Sequence, residues 1–348
     1  MDNSNILITF CVFAYNQADY IEDAIIGALN QNYSPLEIIL SDDCSTDKTF
    51  SIMEKMVTNY KGKHKLILNK NIKNLGTCLH LNKVFQLANG ELFILANGDD
   101  ISEYNRTQEV FESYIKSDKK ARSFLSNYTV IDNSKNILEG QYIPSFPNTY
   151  DRFIKRYWFA HGSTLSIHRE LYDFFGNLGY GFHEDQILMH RSLLLGTVEY
   201  IPKKLINYRR HSFNVSGSTY IYSDSSQKFL HLIRSELGII LGSSNMIIDF
   251  INWCDKYNLG KSELIKSKGI NKINDRIKYG VLSLNLLSKN VLHIVPFLLF
   301  SFFKGYPLKL TLRKLNNRIK ICFGLIKKEN LLNDNVFNIK HFITNKLN

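Results

Sequence analysis

Three of the chain's pairs of adjacent carboxylates are placed to do chemistry: Asp42-Asp43, Asp99-Asp100 and Glu184-Asp185. Neighbouring carboxylates repel unless a cation or hydrogen-bond donors neutralise them. A single Asp after a strand is commonly a cap or turn residue, and Asn97-Gly98-Asp99 is good turn chemistry. Two Asp pairs on one sheet edge are harder to keep for structure alone. A divalent metal on a phosphorylated ligand suits Asp99 and Asp100, because Mn2+ and Mg2+ favour carboxylate and phosphate oxygens. Asp43 can accept from a uracil-type N–H, and Tyr15 can stack on or flank a base. Asp42, at the same turn, reads as structural. Glu184-Asp185 opens an apolar-periodic helix with Ile187, Leu188 and Leu194. Carboxylates in a first helical turn complement the dipole, which would also keep them ionised at neutral pH. The preceding loop, Gly179-Tyr180-Gly181-Phe182-His183, is aromatic and glycine-bearing, and could shape a pocket.

The elements that must position these groups alternate. Ile6–Phe13 is a continuous apolar strand, and Asp19–Gln31 has helical spacing. Leu36–Leu40, Lys65–Leu68 and Glu91–Ala96 read as further strands. Asp47–Tyr60, opened by Ser45-Thr46-Asp47, and Thr77–Ala88 read as further helices. This alternation implies an α/β fold with a parallel, doubly wound sheet, whose ligands bind beyond the carboxyl ends of the strands. Those ends read Phe13-Ala14-Tyr15-Asn16, Ser41-Asp42-Asp43 and Asn97-Gly98-Asp99-Asp100. His161-Gly162-Ser163 follows an aromatic helical pattern (Phe153, Tyr157, Trp158, Phe159). The histidines His80, His168 and His190 read as helix-surface residues.

The 348 residues carry a net charge of +11, and its location matters. Residues 1–220 hold 23 Lys/Arg and 24 Asp/Glu, whereas residues 221–348 hold 20 and 8. A uniformly basic protein would suggest nucleic acid; a neutral body with a basic, apolar tail does not. The expected division is a catalytic domain over 1–220 and a basic, mostly helical region over 221–348. The run Val291–Phe303 is too short for a routine membrane span, and cations from Lys304 to Lys328 interleave with apolar residues after it. That pattern suits docking on an anionic membrane surface. A helical tail packed on the catalytic domain is the alternative. Five scattered cysteines without framework spacing read as reduced thiols, and Met1–Asn5 lacks a basic secretion-signal start. The expected place is therefore the cytoplasm, peripheral at the inner face of the cell membrane, with oligomeric state left open.

Several motifs resemble glycosyltransferase family 2, the inverting GT-A glycosyltransferases. Phe10–Asn16 looks like the family's opening strand with its Tyr-Asn. Leu29-Asn30-Gln31-Asn32-Tyr33 resembles its "S-x-L-x-Q-x-Y". Glu37–Thr49 is similar to its "E-I-I-V-V-D-D-G-S-T-D-x-T", and Asn74-Leu75-Gly76 to its "N-x-G". Ala88-Asn89-Gly90-Glu91, a strand, and Asp99-Asp100 resemble its "A-x-G-E" and metal motif. His183–Gln186 resembles the "E-D" motif, and Tyr208-Arg209-Arg210-His211 the closing "Y-R-x-H". The likeness spans roughly 5–217. It implies a GT-A fold, Rossmann-like and mostly parallel, with a C-terminal helical region. It implies a metal-dependent transfer of a sugar from a nucleotide-sugar donor, UDP-linked, to a glycan or lipid-linked acceptor in bacterial surface polysaccharide assembly (capsule, O-antigen or lipopolysaccharide).

In residues, it implies Asp185 as the base with Glu184 second. Phe13, Tyr15, Asp43, Asn74, Asn97, Asp99 and His211 would line the donor site. Asp100 would lead at the Mn2+ or Mg2+, with Asp99 sharing the metal or meeting the ribose, and Arg209 or Arg210 as a phosphate partner. The family writes Asp where this chain has Asn97, and Gly where it has Cys44. Two rivals remain at this point. A sugar-phosphate nucleotidyltransferase would want a Gly-rich basic loop after the first strand, which Phe13–Asn16 does not supply. A non-catalytic, membrane-associated nucleotide-binding protein is kept open by Asn97.

Overall fold

The computed structural model describes residues 6–138, 162–179, 183–211, 214, 225–257 and 263–286. Strand β1 (Ile8–Ala14) is apolar and buried almost throughout. Such a run needs neighbours on both sides and helices above and below. Strands β2 (Leu36–Asp42), β3 (Lys65–Lys70) and β4 (Leu92–Asn97) make the order β3-β2-β1-β4, every pair parallel. Helices α1 (Ile21–Leu29), α2 (Thr49–Asn59) and α3 (Thr77–Leu87) are the crossovers.

Past β4 the sheet becomes mixed. It runs on through β7 (Ser166–His168), β6 (Ala121–Ile131), β8 (Thr197–Arg209) and β5 (Ile101–Ser102). The β4–β7, β6–β7 and β5–β8 pairs are antiparallel, and β6–β8 is parallel. Helices α4 (Arg106–Lys116), α5 (Glu170–Phe175) and α6 (Glu184–Leu195) pack in this half. A single 3-10 turn, Gly162–Thr164, precedes β7.

The strand register brings the loaded ends together. Phe13 lies between Ser41 and Asn97, and Ala14 beside Asp42. Two backbone bonds carry this past the strands: Asp43 N donates to Ala14 O (2.9 Å), and Gly98 N to Phe13 O (2.7 Å).

Each sheet face has its own core. On one, Ile8, Phe10 and Val12 meet Ile21, Ile25 and Ala28 of α1. On the other, Cys11, Ile39 and Phe93 share a cluster with Val84 and Phe85 of α3 and Ile187 and Leu188 of α6. That second cluster also includes Met246, Phe250 and Cys254 of α7 (Ser225–Lys256), and Ile273 of α8 (Glu263–Leu286).

The chain forms two compact units, 1–214 with 238–277, and 215–237 with 278–348. The division therefore differs from the one at 220 that the charge balance suggested. Residues 238–277 join the first unit because α7 turns an apolar face and one carboxylate inward. Arg191 of α6 is held by Asp249 of α7 through Nε–Oδ2 (2.8 Å) and Nη2–Oδ1 (3.1 Å), both side chains almost wholly buried. Among the described residues, no helix is long and apolar enough to cross a membrane. Val291–Phe303, the cations after it, and the aromatic segment with His161 lie outside the described residues.

Part of the motif pattern serves the sheet. Buried Glu37 accepts from Thr9 Oγ1 (2.8 Å), Asn89 N (2.6 Å) and Asn89 Nδ2 (3.0 Å), with Lys65 Nζ at 3.2 Å. These donors outweigh burial and hold its carboxyl below the usual range. Gln31 caps α4 from outside, its Oε1 accepting from Thr107 N (2.9 Å). Gly90 allows a close backbone approach, since a Cβ there would lie 2.5 Å from Thr9 N. Gly90→Ala should lower stability by about 1–3 kcal/mol, the usual cost of overpacking, read as an earlier midpoint in urea.

Candidate active site

At the β2 end, Asp42 is fully buried and its Oδ2 accepts from Ser45 N (2.9 Å), a structural role. Cys44 has φ +64°, a left-handed position that favours glycine and explains Gly in the family pattern. Asp43 accepts three bonds: Oδ1 from Asn71 Nδ2 (2.8 Å) and Leu75 N (2.9 Å), and Oδ2 from Gly76 N (2.9 Å). It thereby shapes the loop leading into α3. Asn74 is exposed there, its Oδ1 accepting from Gly76 N (3.1 Å). Tyr15 is 46% exposed, free to meet a ligand, while Phe13 is half-buried with its ring edge-on to His80 (centroids 5.3 Å). Asn16 Oδ1 accepts from Thr46 N (2.9 Å), tying the β1 end to the β2 turn.

At the β4 end, Asp99 and Asp100 are buried and nearly every contact comes from the end of β8. Asp100 Oδ1 accepts from Arg209 N (2.9 Å). Asp99 Oδ2 faces His211 Nε2 (3.0 Å) and Asn214 Nδ2 (3.2 Å). Asn97, where the family has Asp, turns its Nδ2 toward Asp100 Oδ2 (3.3 Å), supplying a donor instead of a third negative charge. Burial and the Asp99 charge still push the Asp100 carboxyl well above the usual range.

Arg209 is not positioned as a phosphate partner. It is 1% exposed, and its guanidinium donates to Asp99 O (3.0 Å), Asn133 O (3.0 Å) and Asp23 Oδ2 (2.9 Å). Arg210 is exposed.

The third site element is the start of α6. Asp185 is buried and Glu184 half-buried. A Cβ on Gly162 would lie 3.1 Å from Glu184 Oε1, and Cys78 at the start of α3 feels both charges. Burial raises both carboxyls to about 7, with the Asp185 charge adding to the effect on Glu184. The expectation that the helix N-terminus would keep them low is thus corrected: desolvation of two adjacent carboxylates outweighs the dipole. The loop before them is anchored at Gly176–Gly179. Arg191 Nη1 donates to Gly176 O (2.7 Å), and Asn82 brackets Leu178 through both its amide atoms (2.7 and 2.8 Å). Tyr180–Phe182 lie outside the described residues.

Arg106 escaped the sequence reading altogether. Its buried guanidinium donates to Leu95 O (2.8 Å) and Ser163 O (2.8 Å), binding the metal-motif strand to the turn beside Glu184. Burial lowers its pKa to about 9, against the pull of Asp100. A lone Arg at a helix start carries no sequence signal for such a clamp.

Residues 9–175 match the family described as Glycosyl transferase family 2. They belong to that family. The chain is a glycosyltransferase with a GT-A-like α/β fold. A Haemophilus influenzae glycosyltransferase is 25% identical over 331 residues, covering 91% of this chain and 98% of its own. TuaG of Bacillus subtilis, named for teichuronic acid biosynthesis, is 30% identical over 112 residues, covering 32% of this chain and 43% of its own. Two solved structures share the fold. TarS 1-349 of S. aureus in complex with UDP-GlcNAc has TM-score 0.51 and 16% identity, covering 92% of this chain and 91% of its own. Mannosyltransferase PcManGT from Pyrobaculum calidifontis in complex with GDP-Man and Mn2+ has TM-score 0.52 and 13% identity, covering 94% and 90%.

For this glycosyltransferase, the donor set fits a single divalent cation that is shared with its ligand. Among the described residues, no group of three His, Cys, Asp or Glu side chains is arranged to hold a metal alone. Two adjacent carboxylates with an imidazole beside one of them, the other carboxyl pushed up by burial and by its neighbour, suit an ion whose other ligands are phosphate oxygens and water.

Proposed function

We propose that the chain is an inverting, metal-dependent glycosyltransferase that takes sugar from a nucleotide-sugar donor, UDP-linked, and delivers it to a glycan or lipid-linked acceptor in bacterial surface polysaccharide assembly. The observation that carries the reading is convergence: β1, β2 and β4 bring Tyr15, Asp43, Asp99 and Asp100 to one sheet edge. The named chemistry of TuaG and the UDP-GlcNAc of the TarS structure support it, and the GDP-Man and Mn2+ of PcManGT support a nucleotide-sugar donor with a divalent ion.

Tyr15 flanks the base and Asp43 accepts from it. Asp99 and Asp100 would hold the metal, Mn2+ or Mg2+, with His211 set against Asp99. When bound, the ion neutralises the leaving diphosphate. Asp185 takes the proton of the acceptor hydroxyl, and Glu184 beside it shares the local negative charge. The Arg106 and Arg191 clamps keep both ends of the site at fixed separation, which is where proximity gains arise. The basic tail docks on anionic lipid at the inner membrane face, near a lipid-linked acceptor.

Hydrolysis of UDP-GlcNAc that requires Mn2+ tests the reading. Asp100→Ala should retain the melting transition and lose Mn2+-dependent UDP binding. A folded Asp100→Ala protein with unchanged metal dependence removes Asp100 from the site. For the tail, each Lys or Arg near an anionic surface is worth about 1 kcal/mol. The full chain should sediment with phosphatidylserine vesicles and release in high salt, whereas indifference to vesicles defeats the docking role.

A further inference from the structure

Ser41 is fully buried and stands where the family pattern has Val. A buried hydroxyl is costly unless hydrogen-bonded, so its partners matter. Asn69 Nδ2 donates to Ser41 Oγ (2.9 Å), and His80 Nε2 lies 2.6 Å from the same oxygen. Ser41 Oγ thus bridges the Asn69 amide and the His80 imidazole. Burial lowers the His80 pKa against the pull of Asp43 and Asp42. Asn69 Nδ2 also donates to Asn71 Oδ1 (3.1 Å), so the Asn71 amide nitrogen must face Asp43 Oδ1 (2.8 Å). A continuous polar chain thus runs from α3 through β2 and β3 to the carboxylate.

The chain determines what Asp43 has left to offer. A carboxylate has roughly four acceptor positions. Asn71, Leu75 and Gly76 fill three, both on Oδ1 and one on Oδ2. Uracil presents one N–H between two carbonyls. Guanine presents two adjacent donors that ask for both oxygens, and one would be left unpaired.

We propose that His80, Ser41, Asn69 and Asn71 are positioning residues that fix Asp43 with one open acceptor and so make the donor site select uracil over guanine. The inference rests on the donor-site reading above.

Calorimetric titration of the full-length protein with UDP and with GDP, each with Mn2+, tests it. One unsatisfied donor costs about 1–3 kcal/mol, so the wild type should prefer UDP by about 5–150-fold. Asn69→Ala lies on the half-buried edge strand β3, where the fold tolerates it, and should erode that preference several-fold by freeing Oδ1 for GDP. Ser41→Val should do the same. His80→Gln, whose amide can accept from Ser41 Oγ or donate to it, should retain the preference. A merely structural chain would lower the melting temperature and leave the UDP-to-GDP ratio alone; an unchanged ratio in folded Asn69→Ala overturns the proposal. A wild type that binds both nucleotides equally also overturns it but leaves the donor site standing. Binding of neither brings both down.

Discussion

Asp185→Asn should slow UDP-GlcNAc hydrolysis by about 10²–10⁴-fold, the usual cost of a lost, positioned base, while UDP affinity stays within error of the wild type. The substitution keeps shape and removes proton affinity. Because burial raises Asp185 and Glu184 to about 7, the base is largely protonated in mild acid. In the wild type, kcat/KM should therefore climb as pH rises through about 7 and level off above it. A rate already at its plateau at pH 5 would contradict a buried base. If Glu184→Gln is silenced and Asp185→Asn is not, the proton goes to Glu184.

A chain ending at Tyr222 should fail to fold, although every candidate catalytic residue precedes that point. It would lack Met246, Phe250, Cys254 and Ile273 from a core shared with α3 and α6. Deleting one large core side chain costs about 2–5 kcal/mol, and whole domains have about 5–15 kcal/mol to lose. It would also strand the buried Arg191 without Asp249, at about 3–5 kcal/mol. A chain ending at Ile277 keeps the entire first unit and should melt cooperatively. Circular dichroism melts of both decide the matter. A sharp transition in the 1–222 protein near that of the full chain would show that α7 and α8 are accessories.

The parallel half of the fold is legible because its strands are long enough to display continuous apolar runs. The mixed half is less so: β5 and β7 have two and three residues, below any period. The carboxylate pairs announce themselves by type, yet their supports do not. From its motif Arg209 reads as a candidate phosphate partner, and only burial reveals it as the post behind Asp99. The histidines mislead in the same way. His80 and His190 are buried and His168 lies on β7, not on helix surfaces. His190 is pushed down to about 3 by burial and by Arg276 and Arg191. Helical spacing gives the face a residue lies on, not what covers that face. The α6 carboxylates show the converse error, a local dipole argument overruled by desolvation that depends on distant chain.

The Arg209 contacts also set a timetable. On the ribosome, the segment 9–175 that bears the family signature emerges first, with both Asp pairs already synthesised. The groups that restrain Asp99 and Asp100 belong to residues 209–214, later in the chain. At about 5–20 residues per second, that interval lasts a few seconds, plus the time to clear the exit tunnel. During it the nascent protein carries two neighbouring acids with no backbone donor between them and no imidazole at their side. The site is therefore assembled from its last strand backwards. A cell would meet the two carboxylates fully supported only after the chain has passed the point where its motifs are complete.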